Sequence, residues 1–274
     1  MDNIKDSTYF EEKIRLVLEE AENIGDIKAG TPDLFIPGKG KLYERQEKGK
    51  KVLYIGKDTN GWGDLENRIK AYQNGDKENI VKEIMSIATQ RLQNNEHIDW
   101  WGKGKSQYWD FIFKLQNRIL GLSENENNIN EQITQSFAWG NSYLLQTLNL
   151  PEDISSCSNY KKLQQLANED RSTRNKVLEA MLDLFNPDII VILNWDEYIT
   201  LLKESDREKI EYLEDGVVDD NKRKVKIEYY KIGEDKNKRH VIWTYHPRAM
   251  DFCQGRVDAG VEAVFKFMKE QKVI

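Results

Sequence analysis

The amino-acid sequence predicts a single α/β domain, and two observations carry that prediction. Four short, strongly apolar segments occur along the chain, separated by stretches whose apolar residues recur at helical spacing. Three of the four segments end in a distinctive polar turn. Buried strands that alternate with helices are typical of a parallel sheet covered on both faces, which binds ligands at its carboxyl edge. We therefore predict one three-layer α/β/α domain around a central four-stranded, mainly parallel sheet.

The four core strands are predicted from runs of apolar residues rich in β-branched and aromatic side chains. They are residues 52–55, the part of 133–145 that runs into a Gly-Asn turn, 189–193, and 239–250, which ends in a His-Pro loop. The charged stretch 211–238 is predicted to contain a further strand at 225–232, as an edge element or an excursion.

Helices are predicted where apolar residues are spaced three and four apart. The first covers 8–24, where Thr8 and Glu11 form a capping-box pattern. The others cover 76–94, 106–120, 159–185, about 195–204, and 254–271. We divide the chain into an N-terminal helical extension, residues 1–50, and the α/β domain, residues 51–274.

The composition excludes several classes of protein. The chain has 274 residues, of which 39% are hydrophobic and 10% aromatic, as in a folded domain and unlike a disordered one. No segment approaches the ~20 consecutive apolar residues of a membrane span, and the N-terminus lacks the apolar region of a signal peptide. We therefore expect a cytoplasmic protein without a membrane partner.

Cysteine content and charge narrow the chemistry further. The two cysteines, Cys157 and Cys253, exclude a disulfide framework and any four-cysteine metal or iron–sulfur site. We expect two free thiols, no metal and no cofactor. The formal net charge of -6 provides no overall attraction to nucleic acid, so a nucleic-acid partner would require a local basic face.

Polar residues suited to catalysis follow three of the predicted strands. The first strand runs into GKDTNGW at 56–62, with Asp58 as its single acid, the second ends in Asn141, and the fourth in His246. Taken one at a time, Asp58 also fits an Asx-turn or a helix cap, Asn141 a simple turn, and His246 a structural histidine. Because the carboxyl ends of parallel strands meet at one edge of a sheet, we expect the three to lie together.

The order of these motifs resembles the uracil-DNA glycosylase superfamily. In that family a GQDPYH-type motif follows the first core strand, an Asn ends the second, the third resembles PKVIVALG (here NPDIIVIL), and an HPSPLS-type motif follows the fourth. The resemblance covers residues 51–271. It implies that Asp58 and His246 are catalytic, the first positioning water and offsetting charge on the sugar, the second stabilising the departing base. It also implies that Asn141 reads the edge of the base.

Several positions depart from the family's motifs. Lys57 stands where the DNA enzymes often carry Gln, Thr59 replaces a Pro, and Arg248 replaces the Ser after His-Pro. Asn60 replaces the Tyr that blocks 5-methyl pyrimidines in strict uracil enzymes. We therefore predict tolerance for 5-substituted bases.

A flipped base requires a ring on which to stack, and a DNA-binding edge requires cations and a wedge. The predicted base-binding residues combine the motif positions with three aromatic candidates: Gly56, Lys57, Asn60, Trp62, Phe137, Trp139 and Asn141. The predicted DNA contacts are Lys103, Lys105, Arg248, Met250 and Arg256.

The preferred interpretation is a monomeric, metal-free, monofunctional DNA glycosylase that flips uracil or a 5-substituted pyrimidine out of single- or double-stranded DNA. Such an activity would suit DNA repair or defence against phage DNA with modified bases. One alternative is a glycosylase-fold module that has lost catalysis and binds modified DNA, or a protein partner through Trp100 and Trp101. A nucleoside hydrolase or deoxyribosyltransferase ranks last, since no Asp cluster for calcium and no Gly-rich phosphate loop stands out.

Overall fold

The computed structural model describes residues 8–274 except 26, 58–61, 100–105, 123–129, 148, 169–173, 195–207, 213–225, 234–237 and 251–255. Within these residues one sheet organises the chain, with seven strands in the order β1-β3-β2-β4-β7-β6-β5. The strands are β1 (Gly38–Lys39), β2 (Val52–Gly56), β3 (Phe137–Asn141), β4 (Ile189–Asn194), β5 (Glu208–Tyr212), β6 (Ile227–Ile232) and β7 (Arg239–Tyr245).

Helices cover the sheet and connect its strands. They are α1 (Thr8–Ile24), α2 (Leu65–Asn74), α3 (Lys77–Gln93), α4 (Gln107–Leu120), α5 (Glu131–Thr134), α6 (Glu152–Ser155), α7 (Ser158–Asn168), α8 (Arg174–Phe185), α9 (Pro247–Met250) and α10 (Arg256–Glu270). A short 3-10 turn, Tyr43–Arg45, precedes β2.

The prediction of a mixed α/β fold with a mainly parallel centre is confirmed. Strands β3, β2, β4 and β7 are neighbours in that order and all run parallel. The predicted count of four strands is wrong, because β1 extends the sheet antiparallel at one side and β6 and β5 extend it antiparallel at the other. A two-residue strand such as β1 has no periodicity to detect. The connection from β6 to β7 is too short for the crossover that parallel pairing would need.

Two helix predictions also need correction. The stretch 159–185 holds two helices, α7 and α8, and not one. Helix α2 was not predicted, because its buried stripe consists of three residues, Leu65, Ile69 and Tyr72, in an otherwise polar segment. The helix predicted at 195–204 lies outside the described residues.

Pairing register decides which side chains share a face. Gly56 pairs with Asn141 and Tyr54 with Trp139, so these four residues lie on the same face of the sheet. Helix α4 packs on this face, where the Tyr54 hydroxyl donates to Gln116 Oε1 at 2.9 Å. The intervening Gly140 faces Met181 of α8 on the opposite side. Both faces of the central strands are therefore covered, as the continuous apolar runs predicted.

The described part of residues 1–50 packs into this same core. Helix α1 contacts α2, α3 and α7, and Phe35 is fully buried. The Phe35 amide donates to the Leu144 carbonyl at 2.8 Å, and the Gly40 amide donates to the Phe137 carbonyl at 3.1 Å. Residues 35–40 thus run along β3 and the loop that follows it.

Candidate functional site

The carboxyl ends of β2 and β3 place two predicted site residues side by side. Gly56 and Asn141 are the last residues of their strands and pair directly with each other. Hydrogen bonds continue just beyond them, from the Ser142 amide to the Gly56 carbonyl at 2.9 Å and from the Tyr143 amide to the Lys57 carbonyl at 3.2 Å. The first and second polar motifs are therefore held together by backbone, as expected from the parallel pairing.

The Asn141 side chain is buried, and half of its amide has no partner. The residue is 1% exposed, and Nδ2 has no hydrogen-bond acceptor among the described residues. Leaving a buried amide donor unpaired costs about 1–3 kcal/mol. Such groups are rare in native proteins and commonly mark a position that a ligand completes.

Gly56 is required by close approach and not by a special backbone conformation. A Cβ atom on this residue would lie 2.7 Å from Asn141 Oδ1 and 3.1 Å from the hydroxyl oxygen of Tyr108. Any larger residue would have to displace one of these groups. Gly56 therefore allows Asn141 and Tyr108 to meet above its Cα atom.

His246 follows β7 and is oriented by backbone on both sides. Its amide donates to the Asn194 carbonyl at 3.1 Å, and its Nδ1 accepts from the Arg248 amide at 3.1 Å. Since Nδ1 is an acceptor, the proton of a neutral ring resides on Nε2. Burial, with a smaller contribution from the Arg248 charge, lowers the pKa of His246 to about 4. The ring is therefore neutral at pH 7 and presents an N–H donor.

Tyr108 links these groups and was not identified from the sequence. Its ring stacks on His246 with centroids 5.7 Å apart and planes 16° from parallel, while its hydroxyl oxygen is buried near Gly56. Burial raises the pKa of the phenol, and a hydrogen bond from Trp139 opposes that rise. In the sequence Tyr108 belongs to the amphipathic pattern of α4, so its spacing resembles that of a core residue.

The three aromatic residues predicted to stack on a base lie in the core. Trp62 is 5% exposed, packs against Phe35 with centroids 5.0 Å apart, and donates Nε1–H to the Leu34 carbonyl. Trp139 packs against both of these rings. Phe137 begins β3, about 13 Å from Asn141 at the usual rise per strand residue. Stacking by these three residues stays a prediction, and the ring that the structure places beside Asn141 and His246 is that of Tyr108.

A segment of the N-terminal region anchors the chain just after residues 58–61. The Asp33 amide donates to the Trp62 carbonyl at 2.7 Å, and the Leu65 amide donates to the Thr31 carbonyl at 2.8 Å. The Asp33 carboxylate, 1% exposed, accepts from Arg68 Nε at 2.9 Å. Residues 31–33 therefore support the first polar motif from its far end.

The remaining predicted residues fall partly beyond what the structure describes. Arg248 is exposed beside His246, as a DNA contact would require. The predicted catalytic Asp58, together with Asn60, Lys103 and Lys105, lies outside the described residues. Only the backbone is described for Met250, which ends α9, and for Arg256, which begins α10.

Three searches of the chain gave negative findings. In the described ranges, no three His, Cys, Asp or Glu residues are grouped so that they could hold a metal ion. No helix in the described part of the chain is long and apolar enough to cross a membrane. A comparison with protein-family models gives no match, and neither does a comparison with curated protein sequences.

Proposed function

We propose that this protein is a DNA glycosylase that hydrolyses the N-glycosidic bond of uracil or a 5-substituted pyrimidine. The observation that carries the proposal is the buried, unpartnered amide of Asn141 at the same sheet edge as His246, a neutral N–H donor. The order of the motifs along the chain supports the same activity. The four parallel strands also have the doubly wound arrangement that binds ligands at the carboxyl edge.

His246 would stabilise the leaving base. When the bond between C1′ and the base nitrogen breaks, its electron pair moves onto the base, and negative charge develops on a ring carbonyl. The Nε2–H of a neutral imidazole can donate to that oxygen without a prior protonation step, which suits the low pKa of His246. A single oriented donor of this kind typically contributes about 3–4 kcal/mol to the rate.

Asn141 would identify the base. Its amide carries both a donor and an acceptor, which match the adjacent carbonyl and N–H of a pyrimidine edge. The base must leave the helical stack to reach a group buried at the sheet edge, so the proposal includes base flipping. Binding of the base would supply the acceptor that Nδ2 lacks among the described residues.

Asp58 is assigned its role by the motif in which it stands. It comes two residues after Gly56, the last residue of β2. A carboxylate there would stabilise the cationic sugar and orient a water molecule, whose oxygen forms the new bond to C1′ as its proton is released. The products are a free base and an abasic site. The exposed Arg248 beside His246 would contact phosphate, in a role suited to repair or phage defence.

A strand-cleavage assay tests this proposal. Oligonucleotides, single- and double-stranded, carry uracil, 5-hydroxymethyluracil, 5-hydroxymethylcytosine or its glucosylated form, and alkali cleaves any abasic site after incubation with the protein. Strand breaks that disappear in Asp58→Asn would support the glycosylase. DNA binding without breaks on any substrate would contradict it and favour a binding module.

The same panel tests the predicted tolerance for 5-substituted bases. Asn60 stands where strict uracil enzymes carry a blocking Tyr, so bases with a C5 substituent should be released along with uracil. Activity confined to plain uracil would remove this part of the proposal and leave the glycosylase assignment intact.

A further inference from the structure

We infer that Tyr108 is a third residue that contacts the bound base, by donating its hydroxyl proton to a base carbonyl beside Asn141. This inference rests on the proposed function and adds a residue that no sequence motif contains. It follows from the position of the hydroxyl, from its hydrogen bonding, and from the contrast with a second tyrosine on the same face of the sheet.

The position of Tyr108 joins the two ends of the candidate site. Its hydroxyl oxygen and Asn141 Oδ1 lie 3.1 and 2.7 Å from the point where a Gly56 Cβ would stand, so both groups converge on the same spot. Its ring lies nearly parallel to that of His246. A base held by Asn141 and His246 would therefore contact the Tyr108 side chain.

The hydroxyl of Tyr108 has hydrogen-bonding capacity that the described residues do not use. Its oxygen is buried, and no described group meets it in full hydrogen-bonding geometry. The Trp139 indole, which can only donate, acts on the oxygen and lowers the pKa of the phenol. Burial has the larger, opposite effect on that pKa, so the hydroxyl stays protonated. The proton of Tyr108 is therefore available to an acceptor.

Tyr54 shows what a structural tyrosine looks like in this fold. It is two residues before Gly56 on β2, on the same face of the sheet, and is fully buried. Its hydroxyl donates to Gln116 Oε1 at 2.9 Å. The Gln116 amide in turn donates to the Ser136 hydroxyl at 2.9 Å. This hydroxyl has its acceptor within the protein, and that of Tyr108 does not within the described residues.

The two tyrosines permit a matched experiment, Tyr108→Phe against Tyr54→Phe. Each variant removes one buried hydroxyl and keeps the ring. We expect Tyr108→Phe to leave the melting temperature unchanged or raise it, because an unsatisfied hydroxyl is removed. Its single-turnover rate of base release should fall at least about tenfold, and free uracil should bind more weakly. Tyr54→Phe should lower the melting temperature and leave the rate unchanged.

The outcomes separate this inference from the proposed function. Base release by Tyr108→Phe at the wild-type rate would overturn the inference while the glycosylase stands. A melting temperature that falls as far as in Tyr54→Phe would show a structural hydroxyl and would also overturn it. No base release by the wild-type protein would overturn the proposed function. Weaker binding of free uracil by Tyr108→Phe would then still support the contact, and unchanged binding would end it.

Discussion

The two edges of the parallel sheet treat their buried polar groups differently. At the amino edge, Asp188 precedes β4 and its Oδ2 accepts from the Gly49 and Lys51 amides at 2.9 and 3.1 Å. The Asp188 amide donates back to the Lys51 carbonyl at 2.9 Å. At the carboxyl edge, the Asn141 amide and the Thr244 hydroxyl are buried without partners among the described residues.

This difference separates stability from function. The same strands form both edges, so neither strand propensity nor burial accounts for the contrast. Paired buried groups stabilise the fold, whereas each unpaired one costs about 1–3 kcal/mol. A chain that keeps such a cost at one edge only is expected to use that edge for binding.

The largest expected effect comes from removing the proposed leaving-group donor. His246→Ala should lower the single-turnover rate of base release about 100- to 1,000-fold, because a negative charge then develops without its donor. His240→Ala is the matched control. It lies on the same strand at the amino edge, where its Nδ1 meets the Tyr229 hydroxyl at 2.6 Å. This control should lose stability and keep its rate; equal rate losses in both variants would contradict the comparison.

A second, smaller pair of effects compares two asparagines at the ends of neighbouring parallel strands. Asn194 Oδ1 accepts from Trp243 Nε1, so Asn194→Ala should lower the free energy of unfolding by about 1–3 kcal/mol. Asn141→Ala removes an unpaired donor and should leave the free energy of unfolding nearly unchanged while base release falls. Urea denaturation and the strand-cleavage assay measure the two effects. Equal destabilisation would show that Asn141 is structural.

The amino edge offers the converse test. Asp188→Ala leaves the Gly49 and Lys51 amides without their acceptor and should lower the free energy of unfolding by about 1–3 kcal/mol. Base release should continue at the wild-type rate at a temperature where the variant stays folded. A rate that falls in step with that of His246→Ala would show that the two edges are not independent.

The smallest expected effect concerns pH. Burial lowers the pKa of both His97 and His246 from 6.5 to about 4. Their neutral forms dominate in the folded state, so the unfolded chain binds more protons between those pH values. The free energy of unfolding should therefore decrease as pH falls from 6.5 towards 4, by up to about 1.4 kcal/mol per pH unit for each histidine.

Nuclear magnetic resonance can follow this titration directly. The chain has three histidines, so single substitutions assign each ring signal. We expect His246 to titrate near pH 4, and Arg248→Ala to raise its pKa, because the nearby positive charge is removed. A His246 signal that titrates near 6.5 would contradict the buried, neutral donor.

Much of the fold was predictable from local sequence. The runs at 52–55 and 189–193 are continuously apolar because both faces of these strands are covered, and the structure confirms them as β2 and β4. Helix α1 was predicted with its observed bounds, because its buried residues recur at helical spacing. The edge strands β1 and β5 were less accessible, since one is two residues long and the other lies in a charged stretch.

The candidate site divides in the same way. Asn141 and His246 could be selected from the sequence because each directly follows or ends an apolar run, and parallel strands present such positions at one edge. Tyr108 and Asp33 could not be selected. One belongs to the helical pattern of α4, and the other to a stretch without periodicity, so their proximity to the site depends on contacts between distant segments.

The sequence by itself determined the α/β class, the four parallel strands and the polar residues at their carboxyl ends, because short-range hydrophobic patterns specify strands and helices locally. Only the tertiary structure decided the strand order, the antiparallel extensions and the meeting of Tyr108, Asn141 and His246 around Gly56. It also decided which buried polar groups found partners. Those outcomes depend on packing and register between segments far apart in the chain, which no local pattern encodes.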